Sequence, residues 1–242
     1  MHSGACKQHT ASRSFPCGAA SPYCILPQRE DQKLTLGQDT LTNGCSKLEK
    51  KQKRAVFLDR DGTINKLVYY KDHGVVDSPF LPSQFSLMPG VAEAIAKLNK
   101  KGFFTVLVSN QPGIAKGNTT FENFRAIDNK LELLLKKGGA KLDAKYYCLH
   151  HPDAKLAAYR KKCACRKPRA GMFIKAAKQH KIDLKRSFMV GDGINDMKAG
   201  RAAGCTTVFV GHFKPELWKY FKGGKKPDII AKNLAEAASK IR

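Results

Sequence analysis

From residue 53 onward, short apolar runs alternate with longer stretches whose apolar residues recur every three or four positions. The runs 56–58, 103–108, 144–149, 187–190 and 206–210 are rich in Val, Phe, Leu, Tyr and Thr. They are too short to cross a membrane and read as buried strands. Between them, 91–98, 121–136, 171–180 and 195–203 have helical spacing, the first opened by Pro89-Gly90. The 228–230 run adds an edge strand and the amphipathic 233–241 a last helix.

Strand and helix in alternation build a mainly parallel sheet with helices on its faces. The expected fold class is therefore α/β, a Rossmann-like three-layer sandwich. Residues 66–86 leave room for a loop or hairpin over the sheet edge but not for a large cap domain. Residues 1–52 lack any such periodicity and are rich in Ser, Gln, Cys and Lys. They read as a disordered N-terminal extension to one domain spanning 53–242. No acid precedes Glu30, a trait of transit peptides, yet through residue 28 only Lys7 and Arg13 supply charge.

Charge changes the picture only in part. Lys and Arg number 44 against 20 Asp and Glu, a formal net charge of +24. A basic surface binds nucleic acid by releasing counterions. Here the cations are spread through the chain rather than gathered with aromatics, so a small anionic substrate fits better than nucleic acid.

The chemistry concentrates at the ends of the apolar runs. Val56-Phe57-Leu58 leads into Asp59-Arg60-Asp61-Gly62-Thr63. Residues i and i+2 of an extended segment project to one side, so two carboxylates are forced together at a strand end. Unpaired they repel, and a divalent cation resolves the conflict. The 103–108 run ends in Ser109-Asn110-Gln111-Pro112-Gly113, whose hydroxyl and amide groups suit a phosphoryl oxygen. Arg166-Lys167-Pro168 offers a planar fork and a compact charge. The 187–190 run ends in Gly191-Asp192, another carboxylate for the same edge, with Asp196 one helical turn later to ligate or support.

Four of the eight cysteines lie in the leading segment (Cys6, Cys17, Cys24, Cys45) at irregular spacing with no metal pattern. Cys148-x-His150, twelve intervening residues and Cys163-x-Cys165 form two close ligand pairs on a short loop, the arrangement of a tetrahedral Zn2+ site. His151 is excluded by strand alternation. Four protein ligands leave no open position for water, so this zinc is structural. Thiolate ligands, with Cys205 in an apolar segment, point to a reducing compartment, the cytoplasm.

Asp59-x-Asp61-Gly62-Thr63, Ser109, Lys167 and Gly191-Asp192 through Asp196, in this order, resemble the haloacid dehalogenase-like phosphohydrolase superfamily over residues 54–212. The zinc loop just ahead of Lys167 is similar to that of the D-glycero-D-manno-heptose 1,7-bisphosphate phosphatases, with histidinol-phosphate phosphatase domains as close relatives. The resemblance implies a monomeric, Mg2+-dependent phosphomonoesterase acting on a small phosphorylated sugar. Asp59 would be the nucleophile, Asp61 the general acid/base, and Ser109 and Lys167 the phosphoryl stabilisers. Asn110, Gln111 and Arg166 would bind substrate, and Asp59, Asp61 and Asp192 would hold Mg2+. Histidinol phosphate is the alternative substrate. Two readings of other classes stand beside it: a polynucleotide 3′-phosphatase, although those enzymes lack this zinc loop, and a catalytically inactive zinc-stabilised binding module, although every catalytic position here is chemically competent. One departure from the heptose enzymes is visible: Asp72-His73-Gly74 follows extra residues, among them Leu67-Val68-Tyr69-Tyr70.

Overall fold

The computed structural model describes residues 52–211 and 215–242, so all of the expected extension except Gln52 lies outside the described residues. In chain order the elements are β1 (Ala55–Leu58), a hairpin of β2 (Val68–Tyr70) and β3 (Val75–Asp77), α1 (Val91–Lys100), β4 (Phe104–Asn110), α2 (Gly113–Lys116), α3 (Phe121–Lys137), β5 (Ala144–Cys148), α4 (Gly171–His180), β6 (Phe188–Gly191), α5 (Ile194–Ala203), β7 (Thr206–Val210), α6 (Pro215–Lys222), β8 (Ile229–Ala231) and α7 (Leu234–Lys240). Six strands form one sheet in the order β5-β4-β1-β6-β7-β8, and every neighbouring pair is parallel.

The period-two alternation of each strand divides the core. On β1, Val56 and Leu58 join the cluster packed by Ile95 of α1, Leu131 of α3 and Ala237 of α7. Ala55 and Phe57 point the other way, toward Phe173 of α4 and Ala199 of α5. The same switch separates Leu107 from Val106 and Val108 on β4, and Val190 from Met189 on β6. Both faces are therefore apolar, which is why these runs show no polar alternation. Helices on both faces make the three-layer sandwich, and each fully buried Leu or Phe contributes about 1.5–3 kcal/mol.

The chain order leaves β1 in the middle, with β4 and β5 on one side and β6, β7 and β8 on the other. This reversal creates a crevice at the carboxyl ends of β4, β1 and β6, where open α/β sheets bind ligands. Residues 66–86 contain a hairpin rather than a bare loop. Its register pairs Val68 with Asp77, and Gly74 turns the chain at φ +60°. Tyr70 Oη donates to the Ser78 carbonyl at 2.9 Å and accepts from Phe80 N at 3.1 Å, fastening the hairpin base. Two helices go beyond the sequence expectation. Helix α2 is four residues long, too short to show a period. Helix α6 did carry a signal, because Leu217 and Phe221 are four apart and pack with Met197 and Phe209.

Candidate active site

Asp59 immediately follows β1, and its backbone N–H is tied to the Val190 carbonyl of β6 at 3.0 Å. This bond presents the Asp59 carboxylate at the crevice. Gly62 then turns back at φ +85°, and a Cβ there would sit 2.4 Å from Asp192 Oδ2. Only glycine lets this turn pass against the carboxylate arriving from β6. Gly62→Ala is expected to cost about 1–3 kcal/mol of stability and to lower turnover at least about tenfold by displacing Asp192. Chemical denaturation and steady-state kinetics check both effects.

The crevice is a cavity of about 370 Å3 that gathers Asp59, Asp61, Ser109, Lys167, Asp192 and Asp196. Lys167 is 2% exposed, and its Nζ contacts Asp59 Oδ1 at 2.7 Å, Asp196 Oδ1 at 2.6 Å and the Val108 carbonyl at 2.9 Å. Burial pulls its pKa down, but Asp196 and Asp59 outweigh that and hold the ammonium above its ordinary value. Burial, followed by repulsion from Asp196, pushes the Asp59 carboxyl up to about 7 despite Lys167. Asp59, Asp192 and Asp196 each place an oxygen within 4.8 Å of the others. Three carboxylates thus face one ammonium, an excess of negative charge that a hard divalent cation would neutralise. An all-oxygen donor set of this kind fits Mg2+.

Asp61 is in a different environment. It accepts from Arg60 Nε and Nη2 at 3.2 Å each, Asn65 Nδ2 at 3.0 Å and Gln111 Nε2 at 2.5 Å. Burial favours its neutral form, yet Arg60 and the bonds from Asn65 and Gln111 hold the carboxyl below its ordinary range. The two aspartates of one motif are thus pushed in opposite directions. Arg60 was not singled out from sequence. Its position between two outward carboxylates sends it into the protein, where it is 1% exposed and also donates to Gln111 Oε1 at 2.7 Å.

Ser109 is almost fully buried at the end of β4, lines the cavity and accepts from Gln111 Nε2 at 3.0 Å. Gln111, expected to bind substrate, is itself buried, with its amide engaged by Asp61, Ser109 and Arg60. Asn110 does reach the cavity, but its amide clasps both backbone polar groups of Lys167, Nδ2 to O at 3.0 Å and N to Oδ1 at 2.9 Å. Arg166 donates to the His150 carbonyl at 3.2 Å and is not among the cavity's lining residues. Ser78 beyond β3, Asn195 at the start of α5 and Leu217 of α6 also line the cavity. Nothing in the local sequence marks Ser78 or Leu217, because only the folded chain brings them to the rim. Asn110→Ala is expected to lower kcat/KM about tenfold by releasing Lys167, since two hydrogen bonds contribute about 1 kcal/mol each. The melting temperature should shift by only a few degrees, and the two measurements together separate positioning from unfolding.

Cys148 at the end of β5 meets His150, Cys163 and Cys165 next to this cavity. The sulfur atoms lie 3.2, 3.4 and 3.5 Å apart, and His150 Nδ1 is 3.5 Å from Cys165 Sγ and 4.0 Å from Cys148 Sγ. These separations exceed the ~2.05 Å of a disulfide. They approach the ~3.8 Å edge of a tetrahedron with metal–sulfur bonds of about 2.3 Å, so the ligand set fits Zn2+. His151 lies outside the cluster, its Nδ1 accepting from Asp153 N at 3.1 Å. Mutual hydrogen bonding with Cys165 and burial both push the Cys148 thiol well above its ordinary pKa, a conflict that metal coordination would relieve.

Carboxylates from β1 and β6, a hydroxyl from β4 and a buried ammonium at the switch point of a parallel sheet define a site for phosphoryl transfer. A family model described as HAD-hydrolase-like matches residues 164–237. The D-glycero-beta-D-manno-heptose-1,7-bisphosphate 7-phosphatase of Yersinia pestis is 39% identical over 189 residues, covering 78% of this chain and 95% of its own length. The enzyme of the same name from Escherichia coli K12 is 41% identical over 162 residues, 66% of this chain and 81% of its own. The crystal structure of D,D-heptose 1,7-bisphosphate phosphatase from B. bronchiseptica, complexed with magnesium and phosphate, has a TM-score of 0.63 and 31% identity, covering 77% of this chain and 97% of that one. The chain belongs to the haloacid dehalogenase-like hydrolases and is a phosphatase of the family that includes these heptose bisphosphate enzymes. Among the described residues, no helix is long and apolar enough to cross a membrane.

Proposed function

We propose that this phosphatase removes the C7 phosphate of D-glycero-β-D-manno-heptose 1,7-bisphosphate, with Asp59 as nucleophile. The observation that carries this reading is Lys167 Nζ bridging Asp59 and Asp196 in a cavity that also holds Asp61, Ser109 and Asp192. A carboxylate of Asp59 attacks phosphorus, and the bond to the sugar oxygen breaks. Asp61, in its protonated form, gives that oxygen a proton, leaving an aspartyl-phosphate on Asp59. Asp61 then takes a proton from water, which attacks the same phosphorus and restores Asp59 with release of phosphate.

Ser109 and Lys167 hold phosphoryl oxygens through both steps. Asp59, Asp192 and the backbone carbonyl of Asp61 would hold Mg2+, with Asp196 supporting from behind through Lys167. When bound, that ion supplies the charge neutralisation that attack of an anion on an anion requires. The Cys148, His150, Cys163 and Cys165 cluster would hold a structural Zn2+ and keep Arg166 and Lys167 in register. Cysteines kept reduced for that role fit the cytoplasm, and residues 53–242 are read as the whole catalytic domain.

The test is Mg2+-dependent phosphate release from a panel: heptose 1,7-bisphosphate, histidinol phosphate, other sugar phosphates and a 3′-phosphorylated oligonucleotide. Highest kcat/KM on the heptose bisphosphate, lost in Asp59→Asn, supports the reading. Preference for histidinol phosphate or the oligonucleotide would replace the substrate while keeping the mechanism.

A further inference from the structure

A second open cavity, of about 560 Å3, lies at the opposite end of the sheet. Its walls are the segments that lead into the strands: Lys53 and Arg54 before β1, Phe103 and Phe104 at the start of β4, Lys141 before β5 and Arg186 before β6. Four cations among the described residues meet one carboxylate, Asp143. That carboxylate is already engaged. Its Oδ2 accepts from the Thr105 backbone N–H at 2.8 Å and from the Thr105 hydroxyl at 3.1 Å, and its Oδ1 meets Lys141 Nζ at 2.8 Å. The cavity therefore carries a surplus of positive charge.

Two of those charges are held in place. Lys53 Nζ lies 4.6 Å from the Phe104 ring centroid, and the Arg54 guanidinium lies 4.6 Å from that of Phe103. Stacking on a ring orients a cation without neutralising it. The backbone beneath them is anchored as well, with Lys53 N–H donating to the Lys181 carbonyl and the Lys53 carbonyl accepting from Asp183 N, both at 2.9 Å. Cations fixed before a ligand arrives lose less entropy on binding it.

We propose that this cavity binds a small molecule carrying two or three phosphate groups, at a site separate from the catalytic one. A guanidinium fork matches phosphate oxygens in pairs, and ammonium groups add point charge. Cations from several separate segments match a chain of phosphates better than a single one. The volume falls within the roughly 300–1,000 Å3 typical of small-molecule sites. The seven residues of β4 run from this cavity to the catalytic one, about 20 Å at ~3.3 Å per residue, so one short ligand does not fill both.

Isothermal titration of tripolyphosphate into the full chain in Mg2+-free buffer tests this, because there the acidic catalytic cavity repels polyanions. One-to-one binding is expected, weakened about tenfold by Arg186→Gln and further by Lys141→Gln/Arg186→Gln, as each charge-assisted bond is lost. Both side chains are exposed and far from Asp59, so phosphate release by the variants should equal wild type. Absence of binding, or wild-type affinity in the double variant, overturns the proposal. Binding of a single-stranded oligonucleotide without binding of tripolyphosphate overturns it too, in favour of a nucleic-acid surface.

Discussion

Asp59→Asn is expected to lower phosphate release by about 10⁴-fold or more while leaving the protein folded, because an amide cannot form the acyl phosphate. The fold itself does not depend on this charge. Burial and repulsion from Asp196 push the Asp59 carboxyl up to about 7, so ionising it in the metal-free protein is unfavourable. A carboxyl raised in the folded state contributes stability below its unfolded pKa, and that contribution is lost as the pH climbs through about 7. Without Mg2+ at pH 8, Asp59→Asn should therefore melt at or above the wild-type temperature. Wild-type turnover in the variant would point to another nucleophile. Loss of turnover together with a collapsed melting transition would show that the substitution acts through folding instead.

Removing zinc, or changing Cys163 to Ser, is the second large effect. Small structural zinc sites contribute roughly 10 kcal/mol or more to the order of the chain that ligates them. Here that chain is the 148–167 loop, with Lys167 two residues beyond Cys165. The sheet keeps its apolar core without the metal, because its packing relies on residues such as Phe57, Leu107 and Val190 rather than on the loop. The expected result is a local loss. Amide exchange should rise across 148–167, kcat should fall at least about tenfold as Lys167 loses its fixed place, and the far-ultraviolet spectrum should stay near native. Zinc-free protein with unchanged kinetics would break the link between the cluster and Lys167.

Both results depend on how three strand ends meet, and the residues differ in how openly they announce this. Asp59 and Asp61 could be read directly, since a strand ending in two carboxylates one residue apart has few other uses. Ser109, Lys167 and Asp192 were legible through their order, and the Cys-x-His and Cys-x-Cys pairs through their spacing. Asn110 and Gln111 were legible as site residues, but their partners were not. A sequence shows that an amide stands beside a serine; it does not show that the amide will clasp the backbone of residue 167 or bridge Asp61 and Ser109. Arg60 is the clearest omission. Charge in a strand-end motif suggests solvent, whereas alternation turns this side chain inward, where Asp61 and Gln111 pair with it.

By itself, the sequence determined what depends on local periodicity and fixed spacing. The alternation of buried runs with amphipathic stretches dictates a parallel sheet between helices, and residues a few positions apart must share a strand end or a metal. Only the tertiary structure decided what depends on contacts between distant segments. It placed β1 between β4 and β6, set Gly62 against Asp192, brought Leu217 and Ser78 to the rim and gathered Lys53, Arg54, Lys141 and Arg186 at the far end of the sheet. The physical reason is that backbone geometry acts over a few residues, whereas the burial of apolar faces selects which remote segments become neighbours.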